Sequence, residues 1–173
     1  MNANRYRAVI GWFRARPAAR RALYLVSRGA VVAVYALYIG LLLWLVAGLQ
    51  AAFIPMLIVP AAAFLVGSAV RTAIDRPRPY AALGYEPLFP KKETGRSMPS
   101  RHCFSAAAIA AAALHCALPV GVVLVVLALV IAVSRVVTGV HYISDVLAGL
   151  AFGAGFALVG WPLCAAAVQM LAL

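Results

Sequence analysis

Uninterrupted runs of apolar residues restrict the fold of this chain more than any other feature. Residues 29–49 and 51–70 contain no charged side chain. Each run is close to the roughly 20 residues that a helix needs to cross a ~30 Å hydrocarbon core. A third run, 103–133, is longer, and the LPVG sequence at 118–121 predicts that it breaks into two spans. A last run, 142–173, carries one charged residue, Asp145. The chain is therefore predicted to be a multi-pass membrane protein.

These runs predict an all-α fold, a polytopic membrane helical bundle of about five transmembrane helices. The composition agrees, because 66% of the 173 residues are hydrophobic, well above the share in a soluble domain. The spans are expected at about 29–49, 51–71, 101–118, 119–137 and from 141 onwards. A polar loop at about 72–100 separates the second span from the third.

The first 28 residues form a basic arm. They contain seven arginines together with Trp12, Phe13 and Leu23, and no apolar core of signal-peptide length. This pattern is typical of an amphipathic helix that lies along the membrane interface. We therefore divide the chain into a basic interfacial arm (1–28) and a membrane-embedded domain (29–173).

The formal net charge of +11 reflects membrane topology rather than nucleic-acid binding. With five spans, all 15 Lys and Arg residues fall on one side of the membrane, where they meet lipid headgroups. The positive-inside rule predicts that this side is the cytoplasmic face of the cell membrane. The three cysteines lie in predicted spans without metal-ligand spacing, and we expect them to be packing residues.

Three polar segments are predicted to meet on that same side. The segment RTAIDRPRP places Arg71 and Arg78 at the end of the second span. The segment MPSRH opens the third span, and SRVVTGVHYISD joins the fourth span to the fifth. Ionisable groups at membrane depth are rare and usually functional. The candidate site residues in these segments are Arg71, Arg78, Ser100, Arg101, His102, Arg135, His141 and Asp145.

The residue types in these segments indicate phosphate chemistry. Arginine presents a planar fork of donors that suits phosphate oxygens, and several such forks would neutralise a dianion. Ser100 stands where a helix begins, and a helix N-terminus offers free amide hydrogens to an anion. His141 and Asp145 are four residues apart, so a helix starting at His141 would place them on one face. A carboxylate could then orient one imidazole nitrogen while the other attacks phosphorus.

The three segments together resemble the signature of the type 2 phosphatidic acid phosphatase superfamily. The matching elements are Arg71-x6-Arg78-Pro79, Pro99-Ser100-Arg101-His102 and Ser134-Arg135-x5-His141-x3-Asp145. The resemblance implies a helical membrane enzyme that removes phosphate from lipids through a phosphohistidine, without a metal or another cofactor. It implies that His141 is the nucleophile, Asp145 its orienting carboxylate and His102 the general acid. The implied phosphate ligands are Arg71, Arg78, Ser100, Arg135 and the backbone amide of residue 101.

The chain departs from the family pattern at two positions. Arg71 stands where the family usually has lysine, and Arg101 stands where it commonly has glycine. The charge at Arg71 is retained, and Arg101 adds a cation that could hold a second phosphate or a headgroup. Larger members have six spans, so one span before the first motif is missing here.

The expected substrate is a phosphomonoester or diphosphate of a membrane lipid, such as a polyprenyl phosphate, phosphatidylglycerophosphate or phosphatidic acid. No nucleic-acid partner is expected, and the oligomeric state is left open. Two alternatives are a membrane anion transporter, whose arginines would line an ion path, and a non-catalytic scaffold on the same helices. Soluble haloperoxidases share a similar phosphate pocket, but the apolar spans disfavour that class.

Overall fold

The computed structural model describes residues 1–171, and over that range the chain is helical with no strand. Helices account for most of the described chain, and one long loop separates α4 from α5. The seven helices are α1 (Ala3–Arg14), α2 (Pro17–Ala47), α3 (Phe53–Ile74), α4 (Pro79–Ala82), α5 (Arg101–Cys116), α6 (Leu118–Val137) and α7 (Ile143–Leu171). The predicted all-α membrane bundle is confirmed. The predicted break near Pro119 is confirmed as well, because α5 ends and α6 begins on either side of Ala117.

Four helical segments among the described residues are long and apolar enough to cross a membrane. They are α2, α3 together with the short α4, α6 and α7. The third predicted span, 101–118, corresponds to α5, which has only 16 residues and is not among these four. At about 1.5 Å per residue such a helix is roughly 24 Å long, somewhat less than the hydrocarbon thickness. It is shielded from lipid by its neighbours.

The core of the bundle is α5. Every residue from Cys103 to Ala113 is buried, so this helix is covered on all sides. Most of these residues are alanines, whose small side chains allow neighbouring helices to approach closely. α7, α6 and α3 surround α5, and α2 packs mainly against α6 on the outside. The site residues at the start of α5 are thus held at the centre of the bundle.

Two glycines of α7 set its distance from α5. A Cβ atom at Gly149 would lie 2.9 Å from the carbonyl oxygen of Ser100, and one at Gly153 would collide with the carbonyl of Phe104. Only glycine allows the two backbones to lie this close. This contact fixes the start of α5, which carries Ser100 and His102, against the start of α7, which carries Asp145.

The basic arm is divided between two helices. α1 lies against the end of the bundle, with Tyr6 and Ile10 fully buried, and the Tyr6 hydroxyl donates to the carbonyl of His141 at 3.1 Å. The arm therefore lies on the same face as the candidate site. The apolar run predicts that the first span begins at about residue 29, whereas α2 begins at Pro17. Arginine is a good helix former and can extend its charged end to the interface, so charges end the apolar run without ending the helix.

Candidate active site

Six of the eight candidate site residues line one pocket of about 280 Å³ at the end of the bundle. The other two, Ser100 and Asp145, are fully buried beside it. α3, the loop after α4, α5 and α6 all contribute to the walls. The lining residues are Arg71, Arg78, Lys91, Lys92, Glu93, Arg101, His102, Arg135, Val140 and His141. The three polar segments therefore meet, and the pocket has a strong excess of positive charge.

Arg71 and Arg78 are each anchored through Nε, and the Nη2 atom of each lies near Glu93 in the pocket. Arg71 lies in the last turn of α3, and its Nε donates to the carbonyl of Arg96. Arg78 precedes α4, and its Nε donates to the carbonyl of Gly95 at 3.2 Å. Both side chains are almost fully buried. Two rigidly placed guanidinium groups at the end of α3 suit the recognition of an anion.

The start of α5 supplies the second part of the pocket. Ser100 precedes the helix, and its backbone N–H donates to the carbonyl of Asp145 at 2.9 Å. Within residues 1–171, the buried Oγ of Ser100 has no hydrogen-bond partner. Arg101 is exposed at the rim, and His102 is partly buried in the wall. The helix start therefore offers the pocket free backbone amides, a cation and an imidazole.

Arg135 and His141 supply the third part of the pocket. Arg135 lies in the last turn of α6, and its buried Nε has no hydrogen-bond partner in the part of the chain that the structure describes. A turn at Gly139, with φ of 75°, brings the chain back so that His141 enters the pocket. A buried guanidinium nitrogen without a hydrogen-bond partner is energetically costly. An anion bound there would satisfy it.

Ser97 connects His141 to Asp145. Its Oγ donates to Asp145 Oδ2 at 2.5 Å and lies 3.3 Å from His141 Nδ1. The direct distance from His141 Nδ1 to Asp145 Oδ2 is 3.6 Å, which is too long for a good hydrogen bond. With a proton on Nδ1, the Ser97 oxygen accepts a hydrogen bond from Nδ1–H, and its hydroxyl donates a hydrogen bond to the carboxylate. This arrangement fixes the imidazole and leaves Nε2 for chemistry in the pocket.

Asp145 is fixed by several donors besides Ser97. Arg76 Nη1 donates to Oδ1 at 2.8 Å, and the backbone N–H of Tyr142 donates to Oδ2 at 3.0 Å. The contact with Tyr142 is one half of a capping box at the start of α7. The carboxylate is completely buried but has both a charged partner and hydrogen bonds, as a buried charge requires.

The expected helical register of His141 and Asp145 is wrong. α7 begins at Ile143, so His141 lies outside the helix. The two residues approach each other because Ser97 bridges them and because Tyr142 folds back onto the Asp145 carboxylate. The bend before α7 therefore replaces the helical spacing as the cause of their proximity.

Sequence reasoning missed three polar residues of the site: Arg76, Ser97 and Glu93. Arg76 binds Asp145 and also lies over the Tyr142 ring, at 4.2 Å from its centroid. It stands inside the first polar segment, IDRPRP, so its position was a usable signal. Ser97 and Glu93 lie in the polar loop, where serine and glutamate are common, and nothing in their spacing marks them.

The charge state of His141 is set by burial. Burial lowers the pKa of its imidazole below the usual value, the neighbouring Asp145 carboxylate opposes this shift, and Arg78 adds to it. The net direction is downward. A neutral imidazole at neutral pH is the form that can attack phosphorus.

The acidic residues are all engaged by cations or backbone donors. Asp75 accepts from the backbone N–H of Arg96 at 3.0 Å, and Glu86 pairs with Arg14 at 3.2 Å. Glu93 pairs with Arg78, and Asp145 with Arg76. Within residues 1–171, no three His, Cys, Asp or Glu side chains are grouped as metal ligands would be.

Comparisons with known proteins agree with the fold and the motifs. Residues 51–168 match the family model of the PAP2 superfamily. A lipid A 1-phosphatase from Rhizobium johnstonii is 35% identical over 100 residues, which make up 55% of this chain and 41% of that protein. The matched region therefore spans less than half the length of that relative.

Two solved structures share the architecture. The crystal structure of Aquifex aeolicus LpxE superimposes with a TM-score of 0.70, at 23% identity, over 92% of this chain and 93% of that chain. A PAP2-type phosphatidylglycerolphosphate phosphatase from Bacillus subtilis superimposes with a TM-score of 0.55, also at 23% identity, over 91% of both chains. At this level of identity the likeness concerns the fold.

Proposed function

Because the chain belongs to the PAP2 superfamily, we propose that it is a membrane phosphatase that hydrolyses a phosphomonoester or diphosphate of a membrane lipid through a phosphohistidine. His141 Nε2 attacks phosphorus, and the bond from phosphorus to the ester oxygen breaks. His102 gives its proton to the departing alkoxide. Water then attacks the phosphohistidine and releases inorganic phosphate, with His102 now able to take a proton from that water.

The convergence of unpartnered donors around one pocket supports this proposal most strongly. Arg135 Nε and Ser100 Oγ are both buried and lack a hydrogen-bond partner in the described part of the chain. Arg71 and Arg78 add further positive charge to the same pocket. Phosphoryl transfer needs positioning and charge neutralisation more than any other assistance. We assign Arg71, Arg78, Ser100, Arg135 and the amide of residue 101 to the phosphoryl oxygens, and Arg101 to a neighbouring anionic group.

Asp145 acts through Ser97 in this proposal. When His141 attacks, positive charge develops on its ring, and Nδ1–H needs an acceptor. Ser97 Oγ is placed to accept from Nδ1, and its own hydroxyl is bonded to the Asp145 carboxylate. Arg76 keeps that carboxylate in position from the other side. Asp145, Ser97 and Arg76 thus orient and stabilise the nucleophile.

The substrate is proposed to be a lipid phosphate that reaches the site from the bilayer. The catalytic groups stand at the ends of α3, α5 and α6 and before α7, which is where a lipid presents its headgroup. Polyprenyl phosphates, phosphatidylglycerophosphate and phosphatidic acid fit this description, and the names of the relatives add a lipid A phosphate.

Release of inorganic phosphate from this panel of lipids by the purified protein tests the function. The wild-type protein should hydrolyse at least one of them, and His141→Ala should hydrolyse none. A wild-type protein without phosphatase activity on every lipid of the panel would overturn the proposal. Transport of anions by proteoliposomes, without release of phosphate, would favour the transporter instead.

We propose that the reaction does not use a metal ion. The acidic residues are already bonded to cations or backbone donors, whereas a two-metal phosphatase site needs several free carboxylate or imidazole ligands. Activity should therefore be unchanged in EDTA, and vanadate should inhibit because it adopts the trigonal geometry of the transferred phosphoryl group. Loss of activity in EDTA that Mg²⁺ restores would contradict this expectation.

The active site is proposed to face the cytoplasm. α1 contacts the segment that carries His141, so the arginines of the arm share the face of the pocket, as the positive-inside rule requires of a cytoplasmic face. Single cysteines at positions 92 and 50, in a variant without accessible native cysteines, test the orientation. A membrane-impermeant thiol reagent applied to intact cells should label position 50. Labelling of position 92 would place the site on the outer face.

A further inference from the structure

Glu93 is the one carboxylate among the described residues that line the catalytic pocket. Its Oε2 lies 2.8 Å from Arg78 Nη2 and 3.7 Å from Arg71 Nη2. The Glu93 side chain is about half exposed, with 53% of its surface accessible, while both arginines are buried. Arg78 and Arg71 offset the effect of burial and keep the pKa of Glu93 below its ordinary value, so the carboxylate is charged.

The backbone around Glu93 is held by bonds that do not involve this carboxylate. Arg78 donates its backbone N–H to Thr94 O at 2.7 Å and its Nε to Gly95 O at 3.2 Å. The Tyr80 hydroxyl donates to the carbonyl of Glu93 itself, and Arg71 Nε donates to the carbonyl of Arg96. The loop therefore stays fixed when the carboxylate moves. Rotation of a half-exposed side chain is enough to carry it into solvent.

A carboxylate oxygen and a phosphoryl oxygen compete for the same donors. The Nε groups of Arg71 and Arg78 are taken by the loop, so the terminal nitrogens must serve any anion in the pocket. Glu93 is hydrogen-bonded to Arg78 Nη2 and lies 3.7 Å from Arg71 Nη2. Two anions cannot share these donors without strong repulsion at such short distances. If Glu93 only positioned the arginines, its loss would weaken the binding of phosphate. If it competes, its loss would strengthen that binding.

We propose that Glu93 is an intramolecular competitor of the phosphoryl group. It offsets part of the positive charge of Arg71 and Arg78 when no phosphate is bound, swings out when a phosphate binds, and returns as the product phosphate leaves. This inference rests on the proposed function insofar as Arg71 and Arg78 are taken as phosphate ligands. The consequence is a pocket that binds inorganic phosphate weakly despite its excess of cations, which favours release of the product.

Calorimetric titration of the full-length protein in detergent micelles with inorganic phosphate tests this proposal by measuring the dissociation constant of phosphate. Glu93→Gln retains the shape of the side chain and removes its charge, and it should lower the dissociation constant roughly three- to tenfold. Glu86→Gln is the matched control, since Glu86 pairs with Arg14 outside the pocket, and it should leave the constant unchanged. Glu93→Ala also removes the stem of the side chain and should likewise lower the dissociation constant. It replaces Glu93→Gln in the experiment if that variant does not fold.

Unchanged or weaker binding in the folded Glu93 variants would overturn the proposal, and so would the absence of phosphate binding in every variant. The titration does not depend on turnover, so it separates this proposal from the proposed function. Tighter binding by Glu93→Gln in a protein that hydrolyses no lipid phosphate would refute the function and leave the competitor role standing. Where turnover is present, product inhibition by phosphate should become stronger in Glu93→Gln by the same factor.

Discussion

Two histidines line the pocket, but they differ in burial and in the neighbouring groups that hold the imidazole in place. His141 is buried and fixed through Ser97 and Asp145, as a nucleophile requires, whereas His102 stands in the first turn of α5 and is partly buried. A third histidine, His115, lies at the opposite end of α5, stacked on Trp161 at 5.0 Å between ring centroids. These three positions allow the proposed roles to be separated by mutation.

His141→Ala should abolish turnover of every substrate, because it removes the proposed nucleophile. His102→Ala should lower turnover of ordinary lipid phosphates but retain activity on a substrate with a good leaving group, which needs no proton. Comparing kcat for an alkyl phosphate and a nitrophenyl phosphate in both variants provides the measurement. His115→Ala is the control and should remain active on both substrates. Equal rescue of the His141 and His102 variants would mean that the roles are assigned wrongly.

The acid limb of the pH profile should report the titration of His141. Burial lowers the pKa of this imidazole below its usual value of about 6.5, and only the neutral form can act as the proposed nucleophile. Activity is therefore retained as the pH falls through 6.5 and is lost only at lower pH, when the ring becomes protonated. The logarithm of kcat/KM plotted against pH, for a substrate whose own ionisation is known, provides the check. An acid midpoint attributable to the enzyme at or above 6.5 would contradict the structure.

The candidate residues could be predicted from the sequence because polar and ionisable side chains at membrane depth are rare. The residues that hydrogen-bond to them and hold them in place could not be predicted. Ser97 and Arg76 approach Asp145 from 48 and 69 positions away in the chain. Only the folded bundle brings such distant residues together. A serine in a polar loop is chemically ordinary, so its role depends entirely on that proximity. Glu93 is hidden for the same reason, since its partners Arg71 and Arg78 lie on α3 and before α4.

At the level of helices, the apolar runs predict the order of the long helices, but they do not predict every boundary. The runs predict five spans, whereas four helical segments among the described residues are long and apolar enough to cross a membrane, because α5 has only 16 residues. The break at 117 agrees with the sequence because Pro119 stands in the first turn of α6, where a new helix begins. α3 ends at Ile74, slightly beyond the predicted end at about 71, because Arg71 ends the apolar run without ending the helix. α2 is longer than predicted because Arg20, Arg21 and Arg28 end the apolar run without ending the helix. The burial of α5 follows from its alanine content only when its three neighbours are known.

The contact between α5 and α7 should be sensitive to a single methyl group. Gly153→Ala places a Cβ against the backbone of Phe104, where no side chain can rotate away. The two helices must then separate, which should cost about 1–3 kcal/mol and displace Asp145 from Ser100. Gly155→Ala is the matched control on the same helix, because no atom lies within 4 Å of a Cβ there. It should be neutral or about 0.5–1 kcal/mol more stable.

Thermal unfolding in detergent and kcat, measured on both variants, check this expectation. Gly153→Ala should lower both the unfolding temperature and kcat, and Gly155→Ala should lower neither. Two glycine variants of equal stability and activity would show that α5 and α7 can repack freely, so that their close approach does not position the site.

Across the whole molecule, charge and apolar surface are separated along the bundle. α1, the start of α2, the polar loop and the pocket form a cationic end, and the long sides of α2, α3, α6 and α7 are apolar and exposed. An apolar groove of about 430 Å³ runs between α2, α3 and α5 and is lined in part by Tyr35, Phe64 and Ser105. Ser105 lies four residues along α5 from Arg101, so the groove begins about one helical turn below the rim of the pocket.

This arrangement predicts that the lipid tail contributes to recognition. Each buried methylene is worth up to about 0.8 kcal/mol, so a few bound methylenes should raise kcat/KM more than tenfold over a short-chain soluble analogue in mixed micelles. Ala61→Trp, at an exposed alanine of α3 that lines the groove, should fill the groove and reduce this preference. Ala151→Trp, at an exposed alanine of α7 outside the groove, should not reduce it. Both variants should retain activity on the short-chain analogue, because neither residue contacts the pocket. Equal kcat/KM for glycerol phosphate and a long-chain phosphate would mean that the bilayer only anchors the enzyme and that the groove has no part in choosing the substrate.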